Sequence, residues 1–76
     1  MRDRVFDVLR ELIEQQEKKV ALTAARIAPR LTADDLLQPH DYPALARDAG
    51  FNYEDGLLAG LRSAEAALRA ALAGSD

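Results

Sequence analysis

The stretch Asn52–Ala73, NYEDGLLAGLRSAEAALRAALA, decides the fold. Leu57, Leu61, Leu68 and Leu72 recur at steps of four and seven. That spacing aligns side chains along one face of an α-helix. Beside them runs a row of small residues, Gly56, Gly60, Ser63 and Ala67, which lets another helix approach closely. Gly56 and Gly60, followed by Ala64, have the small-xxx-small form of close helix contacts. A glycine inside a helix costs up to about 1 kcal/mol relative to alanine. Close packing, within the chain or across a dimer, is the expected compensation.

Working outward, a first helix is expected over residues 3–28. Phe6, Ile13, Val20 and Ile27 recur every seven residues. Leu9, Leu12 and Ala24 widen that stripe into a core-facing face. Gln16 falls on the same face, inside the polar run EQQEKK, whereas Val8 and Leu22 fall opposite. Pro29 disfavours a helical Ala28 and sets the boundary. The two long helices are expected to run antiparallel, large against small. Ala21, Ala24, Ala25 and Ala28 would meet the glycine-rich start of the last helix. Val5, Phe6, Leu9, Leu12 and Ile13 would meet Ala64, Ala67 and Ala71.

The connection, about residues 32–50, has structure of its own. Thr32-Ala-Asp-Asp35 has the form of a capping box with aspartate in place of glutamate. The turn it opens should stop at Pro39, and Pro43 suits the first position of a second short helix. Gly50 fits the left-handed residue that ends a helix, Phe51 can reach back to Leu45, and Asn52 is placed to cap the final helix. Leu31, Leu36, Leu37, Leu45 and Phe51 are expected to form a lid across one end of the pair. Tyr42 and Tyr53 are expected to be half-buried with wet hydroxyls.

The chain has 76 residues, enough for one domain near the lower limit for a self-sufficient core. Hydrophobic residues make up 49%, but 15 of them are alanines, so few side chains bury much area. There is no cysteine, hence no disulfide or thiolate metal site to staple so small a fold. Association is the remaining way to gain core. The expected fold is therefore all-α: a long antiparallel helical hairpin with a short helical connector, a single domain over residues 1–76, pairing as a homodimer into a four-helix bundle. Phe6, Leu9, Ile13, Val20 and Ile27 of the first helix carry that packing. Gly56, Leu57, Gly60, Leu61, Ala64 and Leu68 carry it on the last.

Net charge is −3, unevenly spread. Residues 1–31 carry net +2, residues 32–56 net −5, and the rest balance. Overall acidity argues against general nucleic-acid binding. The acidic, aromatic connection suits a partner protein instead, with Asp41, Tyr42, Asp48 and Tyr53 as its candidate surface. The expected function is thus a small non-enzymatic protein–protein interaction or adaptor module. The alternative is a nucleic-acid-associated regulator using Arg2, Arg4, Arg10, Lys18, Lys19, Arg26 and Arg30, although acids are interleaved throughout. A third reading centres on His40 beside Asp41 as an acid–base or metal site. It lacks a second histidine, a cysteine or a Glu-x-x-His pair in support. Asp34 and Asp35 read as helix-start carboxylates rather than a catalytic pair. No phosphate-binding loop, nucleophile elbow or zinc signature is present, so no cofactor and no enzyme is expected. Neither a leader peptide nor a membrane span is legible, which points to the cytoplasm. The richness in Ala, Leu and Arg suggests a GC-rich bacterial source.

Overall fold

The computed structural model describes residues 2–74, with Arg2 described for its backbone alone. Helix α1 spans Arg2–Ile27. Two single turns of 3-10 helix follow, Asp35–Leu37 and Pro39–Asp41. Helix α2 is one turn, Pro43–Ala46, with Pro43 at its start. Helix α3 spans Ala49–Gly74. The fold is all-α, with α1 and α3 packed antiparallel as a hairpin 45 × 20 × 18 Å in extent.

The core is small and sits toward the connector end. Ile13, Val20 and Ala24 of α1, Leu45 of α2, and Phe51 and Leu58 of α3 form one buried cluster. Leu9, Ile27, Leu31, Leu36, Tyr42 and Leu61 pack around it. The heptad of α1 supplies that cluster directly, since Ile13 and Val20 are buried and Phe6 and Ile27 are half-buried. Gln16 is buried among them. Its side-chain amide donates to the Glu54 main-chain carbonyl at 2.8 Å and to Glu54 Oε1 at 3.2 Å. A buried amide needs such partners, because leaving it unpaired costs about 1–3 kcal/mol.

The last helix starts three residues earlier than its sequence pattern predicts. Asp48 Oδ1 accepts a hydrogen bond from the Phe51 main-chain N–H at 2.7 Å, which makes Asp48 the N-cap. Asn52 is therefore inside the helix, and its side chain donates to the Ala46 carbonyl at 2.9 Å, closing the end of α2. Gly50 lies in the first turn of α3, and no described glycine adopts a positive φ. A left-handed break was expected here because a glycine precedes Phe51. An acidic cap two residues before that glycine wins instead.

The capping box forms as its sequence suggests. The Thr32 main-chain N–H donates to Asp35 Oδ2 at 2.8 Å, and the Asp35 N–H donates to Thr32 Oγ1 at 3.3 Å. The lid is thinner than expected. Leu45 and Phe51 are fully buried and Leu31 and Leu36 half-buried, but Leu37 is 79% exposed. Consecutive residues of so short a turn cannot both face the core.

Large does not face small along the hairpin. Ala64, Ala67 and Ala71 are exposed, and the bulky end of α1 meets charged residues of α3 instead. The Arg69 guanidinium stacks 4.3 Å from the centre of the Phe6 ring. The alanine end of α1 is covered on one flank by the connector, where Leu31, Thr32, Ala33 and Leu36 line a groove with Ala21, Ala24, Ala25 and Ala28.

Candidate interaction surfaces

The two long helices close one flank of the hairpin and leave the other open. On the closed flank, Arg10 reaches Glu65 at 3.1 Å and Arg62 reaches Glu17 at 3.4 Å, both from helix to helix. Arg69 joins Glu65 at 3.6 Å. The connector borders this flank, where Ala33, Leu36 and Leu37 line an open pocket with Glu17, Val20, Asp55 and Arg62. The arginines of these ion pairs are exposed and Glu65 is half-buried; surface pairs of this kind contribute roughly 0–1 kcal/mol each, but together they fix where the charges go.

Helical geometry of 3.6 residues per turn puts Val5, Val8 and Leu12 on the opposite flank of α1. In an antiparallel pair that flank faces the same way as the side of α3 bearing Leu57, Ala64 and Leu68. All six are exposed. Leu57 and Leu68 retain 43% and 41% of their surface. Of the residues expected to pack the helices, Ile13 and Val20 are buried, and Phe6, Leu9, Ile27 and Leu61 are half-buried. Gly56, Leu57, Gly60, Ala64 and Leu68 face outward. A β-carbon built at Gly56 or Gly60 meets nothing within 4 Å, so neither glycine is needed for packing inside the hairpin.

The residues expected to form an acidic, aromatic partner surface divide into two places. Tyr42 is half-buried, and its hydroxyl donates to Asp35 Oδ1 at 2.9 Å. The Thr32 N–H and this tyrosine hold the Asp35 carboxyl below the usual carboxylate range, and the same bond raises the Tyr42 phenol. Asp48 is committed to its capping bond. Tyr53 is 67% exposed rather than half-buried. Asp48 and Tyr53 line an open depression of about 410 Å³ with Thr23, Arg26, Ile27, Gly50 and Glu54. Asp41 is exposed on the other side of α2 in the chain, as is His40.

The basic set of the alternative reading does not converge. Arg4, Lys18, Lys19 and Arg26 share the outer side of α1 but are strung along its length with Asp7, Glu11 and Glu14 among them, and Arg10 is tied to Glu65. The Arg2 side chain lies outside the described residues. Among the described residues, no group of three or more His, Cys, Asp or Glu could hold a metal ion. No described helix is long and apolar enough to cross a membrane. No protein-family model, curated protein or solved structure matches the chain.

Proposed function

We propose that this chain is a small non-enzymatic interaction module that works as a homodimer, two hairpins completing one four-helix bundle. The observation that carries the proposal is surface area. The chain exposes 5666 Å². A folded monomer of 8.3 kDa is expected to expose about 4,600 Å². The excess of roughly 1,000 Å² exceeds the ~800 Å² that each partner buries in a standard interface. It belongs to an elongated hairpin, 45 × 20 × 18 Å, with Val5, Val8, Leu12, Leu57 and Leu68 exposed along one flank. Under this reading the connector is free to serve a second protein, through Asp41 and through the Tyr53 depression.

Light scattering on gel filtration over a range of concentrations tests it. The expected result is a mass near twice 8.3 kDa that holds on dilution into the micromolar range. A monomer at every accessible concentration would overturn the homodimer.

A further inference from the structure

We infer that the dimer is built on the outward face of α3, which pairs antiparallel with α3 of a second copy through Leu57, Gly60, Ala64 and Leu68. This rests on the homodimer proposed above and specifies where it forms.

The first argument is the routing of charge. From Gly56 to Gly74, α3 has only three charged residues, Arg62, Glu65 and Arg69. All three reach toward α1: Glu65 pairs with Arg10, Arg62 with Glu17, and Arg69, joined to Glu65 within α3, stacks on Phe6. What remains outside is Leu, Ala, Gly and Ser. A helix that is polar on its outer side needs no cover; this one has an uncharged outer surface about 28 Å long. The outside of α1 is the reverse, with Arg4, Asp7, Glu11, Glu14, Lys18 and Lys19 all exposed.

The second argument selects a second copy as the occupant. An uncharged surface is matched by another uncharged surface, and the long uncharged surface on this chain is that of α3 itself. A two-fold interface must be self-complementary, and the order of side chains along α3 is. With the axis between Arg62 and Ser63, Leu57 of one copy falls level with Leu68 of the other, and Gly60 and Ala64 of both copies lie within about one turn of the axis, at the crossing. Large residues lie at the ends and small ones at the crossing. The small crossing lets the backbones come within about 8 Å. The empty space beyond Gly60 is then the room for the second helix. Each end then brings Leu57 of one copy to the flank on which Leu68, Val5 and Val8 of the other are exposed.

Ala64→Glu tests this, because Ala64 is exposed and contributes nothing to the hairpin core. Placing an unpaired carboxylate at the crossing should weaken dimerisation by about 100-fold or more while helicity stays unchanged. Leu22→Glu, on the exposed outer side of α1, should leave the dimer intact. Raising salt should not weaken the wild-type dimer, since charge does not hold it. A wild-type dimer that survives Ala64→Glu, or that Leu22→Glu or salt dissociates, would overturn the α3 surface while sparing the homodimer. A wild-type monomer would overturn both.

Discussion

The two long helices are of equal length and share one core, yet their outer sides are opposites. The outside of α1 is densely charged, with both signs interleaved. The outside of α3 is small, apolar and uncharged because its three charged residues lean onto α1. A charged helix surface is stable in water without a partner. Contiguous uncharged, apolar surface is where protein contacts tend to form. The difference shows that ion pairs worth little as stability can still matter, by clearing a face of charge.

That contrast exists only while the seam between the helices holds, so the largest effect should come from the seam. Phe51→Ala empties the centre of the cluster it shares with Ile13 and Leu45. A loss of about 3–5 kcal/mol is expected, enough to abolish a cooperative thermal transition in so small a domain. A melt within a few degrees of wild type would mean that the core lies elsewhere.

Next in size is the start of α3. Asp48→Ala removes the N-cap bond to Phe51 and should cost about 1 kcal/mol in chemical denaturation. Asn52→Ala, which loses one exposed bond to Ala46, should cost clearly less. The reverse order would return the helix start to Asn52.

Gly56→Ala sharpens the contrast from the α3 side. With open space beyond its position, alanine should stabilise by about 0.5–1 kcal/mol. A loss of stability would show that Gly56 is packed.

The smallest effect is one of pH. Asp35 has a folded-state pKa below its ordinary value, held there first by the Thr32 N–H and then by Tyr42. Its contribution to stability is therefore complete above the ordinary carboxylate value and is lost as pH falls through the folded value. Asp35→Asn should lower the melting temperature slightly near neutrality, and its deficit should shrink in acid. A deficit constant with pH would contradict the capping-box assignment.

Much of this was legible in the sequence. The heptad Phe6–Ile13–Val20–Ile27, the buried position of Gln16 and the Thr32–Asp35 box all follow from spacing alone. Two things did not. Periodicity finds the apolar stripe on α3 but cannot say which edge of it faces α1. Leu57 and Leu58 are adjacent, and Leu58 is the buried one. The step-of-four pattern from Leu57 to Leu61 joins one residue that packs on the core, Leu61, to one that stays exposed, Leu57. The sequence also could not place Arg62, Glu65 and Arg69 against α1, because their partners Glu17, Arg10 and Phe6 are fixed only by the register of the hairpin. The same holds for Asp48 and Tyr42: as residues of an acidic, aromatic segment they read as surface, whereas a local hydrogen bond commits each to the fold.

The most direct test of the proposed α3 pairing uses the absence of native cysteine. Leu57→Cys and Leu68→Cys variants would be mixed at equal amounts and oxidised under equilibrium conditions. Antiparallel pairing predicts that the disulfide joining residue 57 of one copy to residue 68 of the other forms in clear excess over either self-linked product. Preferential self-linking of Leu57→Cys, or no cross-link in a solution shown to be dimeric, would contradict it.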